Sequence, residues 1–260
     1  MKVTYMNGAG NDFMVIDARG LELDFSPLAL ELCKLTGADG FMAVDTPSVS
    51  GADFRLHFYN ADGTRGEMCG NGARCICRFA YEMGIAGEEM VVQTDAGLVP
   101  GWRLNESTYR VKLNNPGVLD LHRKPDCAYV ELGNPGVPHA VKEVPGFTWD
   151  DGPALWEMAK ALRHDPAFPK GANANLYTWL DDTTVRILTF ERGVEDYTLA
   201  CGTGTGSTAA ALWASGKLPG GFLKAENRGG ILSVTVSGEE GVITSLLLEG
   251  PTEITAVYQR

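Results

Sequence analysis

The chain has 260 residues, of which 44% are hydrophobic, and a mean hydropathy of −0.08, as in an ordinary globular protein. Its formal net charge of −11 and isoelectric point of about 4.8 argue against nucleic acid or an anionic membrane surface as a partner, since both call for basic patches. No apolar run is long enough to span a bilayer, and the first residues do not form a signal peptide. We therefore expect a cytoplasmic protein.

Short strands and four helices are predicted along the chain. Hydrophobic periodicity and helix-ending residues place the helices at 27–35, 73–83, 153–163 and 208–215. The second and fourth follow a Cys-Gly-x-Gly sequence and end at glycine, Gly84 and Gly216. Runs of β-branched and aromatic residues, or short alternating patterns, predict strands within 54–59, 88–113, 184–190 and 222–248.

Both halves of the chain carry the same landmarks in the same order. Four landmarks recur after 131 to 134 residues: a short turn, a strand that begins near an arginine, a Cys-Gly-x-Gly sequence and a glycine turn. In the first half they include Gly37, Arg55, Cys69 and Gly97; in the second half they include Gly171, Arg186, Cys201 and Gly230. This repeat predicts two similar domains, 1–116 and 117–248, joined where Asn, Pro and Gly interrupt regular structure.

The predicted fold class is α+β, with two duplicated domains of mostly antiparallel strands. Two such domains would leave a cleft in which equivalent residues face each other, and we expect the active site there.

The repeated cysteines, Cys69 and Cys201, are the candidate catalytic residues. A cysteine at a helix start lies beside backbone N–H groups and the positive end of the helix dipole, which lower the pKa of its thiol. The glycines that follow allow backbone amides to approach a carboxylate and to hold it as negative charge develops. A thiolate and a thiol on opposite sides of one carbon could remove a proton from one face and return one to the other. This scheme needs no metal and no organic cofactor.

The other four cysteines have no counterpart in the opposite half of the chain. Cys33, Cys75, Cys77 and Cys127 are therefore expected to be small buried side chains. Cys75 and Cys77 are separated by one residue and no second cysteine pair follows, which argues against a zinc site.

Five sequence blocks resemble the diaminopimelate epimerase family. They are NGAGNDF at 7–13, NADG at 60–63, EMCGNGARC at 67–75, ERG at 191–193 and ACGTG at 200–204, in the family's order. The resemblance implies two similar domains, each a β-barrel-like sheet around a central helix, with 249–260 crossing back to the first domain. It also implies a homodimer that interconverts L,L- and meso-diaminopimelate in lysine and peptidoglycan biosynthesis.

The resemblance further assigns roles to individual residues. Cys69 and Cys201 would be the two bases. The reacting α-carboxylate and amine would be held by Asn11, Gly70, Asn71, Gly202 and Thr203. The far end of the substrate, a second amino-acid head group, would be bound by Asn60, Asn173, Glu191 and Arg192. The Arg192 guanidinium suits a carboxylate because it can form two parallel hydrogen bonds.

Some features depart from the family pattern. The family commonly has Asn-Pro-His with the histidine near the active site, whereas this chain reads NPGVPH at 134–139. His139 is therefore a candidate for active-site support, and either Asn134 or Val137 could take the asparagine's place. The chain is also short, and Asp196-Tyr197-Thr198 replaces a Gly-Glu-Thr-like run, which suggests a trimmed loop before Cys201.

Other functions stay open at this point. A cofactor-independent racemase of histidine or glutamate would keep both cysteines but change the far-end residues. Proline racemase fits the NADG and ERG blocks poorly. A thiol redox or binding protein could instead use the two cysteines as a reversible disulfide.

Overall fold

The structure is a computed structural model, and it describes residues 1–66 and 69–259. Glu67 and Met68, which belong to one of the blocks above, lie outside the described residues. The chain divides into two compact units, unit 1 (Met1–Lys112 and Glu249–Arg260) and unit 2 (Leu113–Leu248). No helix in the described ranges is both long and apolar enough to cross a membrane.

Over the described residues, strands are interspersed with four α-helices. In chain order they are β1 (Lys2–Gly8), β2 (Asn11–Asp17), α1 (Phe25–Thr36), β3 (Gly40–Asp45), β4 (Phe54–Asn60), β5 (Arg65–Gly66), α2 (Gly70–Glu82), β6 (Glu89–Thr94), β7 (Gly97–Arg103), β8 (Thr108–Leu113), β9 (Pro116–Lys124), β10 (Cys127–Gly133), β11 (Gly136–Glu143), α3 (Gly152–Arg163), β12 (Asn173–Trp179), β13 (Thr184–Glu191), β14 (Asp196–Thr198), α4 (Gly202–Ala214), β15 (Phe222–Asn227), β16 (Gly230–Glu239), β17 (Val242–Pro251) and β18 (Glu253–Gln259). A short 3-10 helix, Trp149–Asp151, precedes α3.

The two units repeat one pattern of strand pairing. In unit 1, β1–β2, β3–β4 and β6–β7 are antiparallel, whereas β2–β3 and β4–β6 are parallel. In unit 2, β10–β11, β12–β13 and β15–β16 are antiparallel, whereas β11–β12 and β13–β15 are parallel. The predicted duplicated fold of mostly antiparallel strands is therefore confirmed.

Each unit surrounds one of its helices with strands. Ten of the thirteen residues of α2 are buried, and so are ten of the thirteen residues of α4. A helix that is covered on nearly every side is a central helix rather than a surface one. In contrast, α1 and α3 bury one face each, against β2, β3 and β4 in unit 1 and against β12 and β13 in unit 2.

The last strand of the chain belongs to unit 1. It pairs antiparallel with β1, with Lys2 opposite Gln259. Just before it, the backbone N–H and the hydroxyl of Thr252 both donate to the Ser107 carbonyl, at 2.7 and 2.9 Å, and Arg78 donates to the Thr252 carbonyl at 2.6 Å.

Both central helices begin earlier than the sequence predicted. They start at Gly70 and Gly202 rather than at 73 and 208, so each begins directly after its cysteine. Glycine has a low helix propensity, but close packing against the sheet overrides that preference here. A Cβ on Gly204 would lie 2.3 Å from the Asn175 side-chain oxygen, a contact that only glycine avoids. The predicted glycine ends are confirmed, since Gly84 and Gly216 follow the helices with φ of 65° and 75°.

One histidine lies in the core of unit 2. His139, on β11, has no exposed surface, and its neighbour across the parallel pair is Asn173 on β12. Burial and, to a smaller extent, the nearby Arg192 cation lower the pKa of this imidazole from its ordinary 6.5 to about 3. The ring is therefore neutral at every pH at which the protein would work.

We expect the buried histidine to make stability pH-dependent on the acid side. The unfolded chain takes up a proton near pH 6.5 that the folded protein does not, so the free energy of unfolding falls as pH falls. With a folded pKa of about 3, this group alone removes about 2 kcal/mol between pH 7.5 and pH 5. Urea unfolding at both pH values measures the loss, which should be about 2 kcal/mol smaller in His139→Gln.

The matched control is His122→Gln, which changes an exposed histidine in the same unit. It should lose as much stability on acidification as the parent protein. An equal loss in His139→Gln and the parent would show that His139 is protonated in the folded state, contrary to its burial.

Candidate active site

The two candidate cysteines occupy the same structural position in their units. Cys69 is the N-cap of α2 and Cys201 is the N-cap of α4. Their backbone angles are nearly equal, with φ and ψ of −120° and 125° for Cys69 and −117° and 112° for Cys201. The first N–H groups of an α-helix have no carbonyl partner within the helix, so each thiol lies beside a ready anion site.

The environment of Cys201 contains two hydrogen-bond partners for its sulfur. The Gly204 N–H donates to Sγ at 3.3 Å, and the Thr203 hydroxyl oxygen lies 3.5 Å from Sγ. Cys201 is buried, and Thr203 is partly exposed. A backbone amide and a hydroxyl directed at a sulfur atom both favour its negatively charged form.

His139 is connected to this group by side-chain hydrogen bonds. Its Nε2 lies 3.1 Å from the Thr203 hydroxyl oxygen, and its Nδ1 lies 3.1 Å from the Asn175 side-chain nitrogen. The sequence placed His139 near the active site by resemblance alone. In the structure, His139 and Thr203 are in direct contact beside Cys201.

The start of α2 in unit 1 has different polar neighbours: two side-chain amides lie between a buried arginine and a carboxylate. Arg74, which is fully buried, donates to the Asn71 side-chain oxygen at 2.8 Å. The Asn71 amide nitrogen donates to the Asn11 oxygen at 2.6 Å, and the Asn11 nitrogen donates to the Asp39 carboxylate at 3.3 Å. The predicted α-carboxylate ligands Asn11 and Asn71 are thus brought together. The charges of Arg74 and Asp39 orient the two side-chain amides.

Two of the predicted far-end residues also meet. The Arg192 backbone N–H donates to the Asn173 side-chain oxygen at 2.7 Å, and the Arg192 guanidinium donates to the Lys170 carbonyl at 3.0 Å. The Arg192 side chain is exposed, so most of its donors face solvent. Glu191 is the last residue of β13, and its backbone is paired with Asp196 on β14.

Asn60 and Asn134 lie at exposed turns. Asn60 ends β4, in unit 1, and its side chain donates to the Thr64 hydroxyl at 3.0 Å. Asn134 lies in the exposed turn between β10 and β11, whereas His139 lies inside β11 and is buried. Val137 directly precedes the Pro138-His139 pair and is 37% exposed.

The four cysteines without a counterpart are buried, as predicted. Burial raises the pKa of Cys33 and of Cys127 to about 11 and that of Cys75 and of Cys77 to about 12. These thiols stay protonated at neutral pH, and their packing accounts for their presence.

The sequence did not indicate two polar residues that support the site. Asn175 packs against Gly204 and reaches His139, and Arg74 orients Asn71. A signal for Asn175 was available, because strand alternation puts residues 173 and 175 on one face of β12. The helical pattern gave no such signal for Arg74. Arginine is almost never fully buried without a charged partner, so a buried position was not expected for it.

The chain matches known proteins over nearly its whole length. A family model described as diaminopimelate epimerase matches residues 3–116 and 132–252. The diaminopimelate epimerase of Hydrogenobaculum sp. is 33% identical over 280 aligned residues, covering 100% of this chain and 97% of that protein. The diaminopimelate epimerase of Chlorobaculum tepidum is 34% identical over 98% of each chain.

A solved structure shares the fold at low sequence identity. The phenazine biosynthesis protein of the PhzF family from Bacillus anthracis aligns with a TM-score of 0.74 and 15% identity, over 99% of this chain and 98% of that chain. The extent of the family match and the identity to these relatives lead to one assignment. The chain belongs to the diaminopimelate epimerase family.

Proposed function

We propose that this protein is a diaminopimelate epimerase that interconverts L,L- and meso-diaminopimelate, with Cys69 and Cys201 as its two bases. The full-length match to the family supports the reaction and the substrate. One structural observation supports the mechanism: the two repeated cysteines are both N-caps of central, glycine-rich helices.

In the proposed mechanism, the two thiols act on opposite faces of one α-carbon. A thiolate removes the α-proton and becomes a thiol, while the other thiol donates a proton to the opposite face and becomes a thiolate. The roles of the two cysteines are therefore exchanged after each turnover. The N–H groups at the helix starts would bind the α-carboxylate and stabilise the charge that develops on it when the proton leaves.

The far end of the substrate would be bound by Asn60, Asn173, Glu191 and Arg192. Arg192 is suited to the second carboxylate, because its backbone is fixed by Asn173 while its side chain is exposed. The homodimer, the cytoplasmic location and the role in lysine and peptidoglycan biosynthesis belong to the same proposal.

We expect loss of either thiol to slow epimerisation strongly. Reduced protein is incubated with L,L-diaminopimelate in D₂O without added cofactor, and NMR follows deuterium at the α-carbon together with meso product. Cys69→Ala and Cys201→Ala should each slow epimerisation by about 10²–10⁴-fold, the usual contribution of a general acid or base.

The matched control is Cys127→Ala, the same change at a buried thiol of unit 2 that has no counterpart in the repeat. It should epimerise at nearly the parent rate. If Cys69→Ala or Cys201→Ala also did so, the two-thiol mechanism would be wrong. Exchange with histidine or glutamate but not with diaminopimelate would keep the mechanism and change the substrate, and no exchange with any amino acid would favour a redox or binding protein.

We expect Arg192 to act through the second carboxylate of the substrate. Lysine is diaminopimelate without that carboxylate, so the two compounds differ at the group Arg192 would bind. Arg192→Met should lower kcat/KM for diaminopimelate by about tenfold or more, the value of a charge-assisted hydrogen bond, and should not lower the rate of α-proton exchange measured with lysine. If exchange of both compounds fell by the same factor, Arg192 would not bind the far carboxylate.

A further inference from the structure

The orientation of one buried amide determines which atoms around Cys201 carry protons. The Asn175 side-chain oxygen accepts from the Thr189 hydroxyl at 2.9 Å. Its nitrogen lies 3.1 Å from the Ala140 carbonyl and 3.2 Å from the Asn173 carbonyl. Carbonyl oxygens only accept, so the opposite orientation would place an oxygen against two acceptors. The Asn175 nitrogen is therefore the group that faces His139.

The amide in turn selects the tautomer of His139. Because the Asn175 nitrogen can only donate, a hydrogen on the Nδ1 of His139, 3.1 Å away, would face another donor, so Nδ1 is the unprotonated ring nitrogen. A neutral imidazole that accepts at Nδ1 carries its hydrogen on Nε2. The ring is buried on all sides and lies near the Arg192 cation, which opposes a second proton on it. His139 therefore donates from Nε2 to the Thr203 hydroxyl oxygen, at 3.1 Å.

Because His139 donates to the Thr203 hydroxyl oxygen, the hydrogen of that hydroxyl points away from His139. An accepting hydroxyl keeps its O–H for another partner, and the Cys201 sulfur lies 3.5 Å from this oxygen. We propose that Asn175 and His139 are positioning residues that direct the Thr203 O–H toward Cys201 and so favour the thiolate of Cys201 in the resting enzyme. The inference rests on the proposed function and deepens it, because in a two-base reaction one thiol must be deprotonated before it can remove the α-proton.

The proposal assigns His139 no proton transfer. The histidine acts as a neutral donor that sets the direction of the Thr203 O–H, and the Gly204 N–H is another donor to the sulfur. Without the histidine, the hydroxyl hydrogen would distribute over three staggered positions, of which one points to sulfur.

The test measures the pH dependence of alkylation of Cys201 by iodoacetamide, without substrate, with peptide mass spectrometry to resolve each cysteine. Thr203→Val removes the hydroxyl and should raise the pH midpoint by about one unit, which makes alkylation near neutral pH about tenfold slower. Thr203→Ser keeps the hydroxyl and should leave the midpoint near that of the parent. His139→Leu should slow alkylation about threefold, in proportion to the three hydroxyl positions.

His139→Gln provides the matched comparison, since its side-chain N–H can replace Nε2–H and should restore the parent rate. Cys127 serves as an internal control in every sample, because its thiol lies in the same unit and is not part of this group. If Thr203→Val slowed alkylation near neutral pH and His139→Leu did not, the hydroxyl would act without the histidine and the proposal would be overturned. An unchanged midpoint in Thr203→Val would overturn it as well.

A second measurement uses the unaltered protein and is independent of how the variants fold. ¹⁵N NMR of the His139 ring, assigned by its absence in His139→Gln, should show a protonated Nε2 and an unprotonated Nδ1 from pH 5 to pH 9. A proton on Nδ1 would overturn the proposal. Neither measurement requires turnover, so a failure of the epimerase assignment would be seen separately in the deuterium exchange experiment.

Discussion

A backbone N–H reaches the Cys201 sulfur because glycine in the first turn of α4 lets the helix begin close to β12. At Gly204 a Cβ would lie 2.3 Å from the Asn175 side chain, so any other residue would push the helix start away from β12. The same glycine donates its N–H to the Cys201 sulfur. The position of the thiol, the amides beside it and the packing of a fully covered helix therefore depend on one steric constraint.

The duplication preserves the backbone of the site but not its polar support. Strand pairing and the N-cap angles of Cys69 and Cys201 agree closely between the units. At the start of α2, however, two amides connect a buried arginine with a carboxylate, whereas at the start of α4 a histidine and a hydroxyl lie beside the thiol. A symmetric backbone thus provides equivalent positions for two thiols, and the different neighbours can give the thiols different proton affinities in the resting state.

The positions of the two thiols at helix starts could be predicted from sequence, because they depend on neighbouring residues. The contacts between separate strands and helices could not. A repeated Cys-Gly-x-Gly before a helical pattern was enough to place both thiols at helix starts, because capping is decided within a few residues. Glycine propensity, however, delayed the predicted start of α4 to residue 208, since the packing that overrides it involves β12. The contacts of Asn175 come from β11, β13 and α4, and strand register is not written in any one of these segments.

The hydrogen bonds of the buried His139 explain why the thiols, and not this imidazole, are proposed to transfer protons. A charged His139 would carry hydrogens on both ring nitrogens, and its Nδ1–H would then face the donor nitrogen of Asn175. The orientation of that amide is fixed by Thr189 and two carbonyls, so it cannot turn to accommodate the extra proton. The imidazole is thereby held neutral in one tautomer across the range in which thiols titrate. A donor that does not titrate gives the hydroxyl beside Cys201 a constant direction, and the proton affinity of the sulfur can then change only with the events of catalysis themselves.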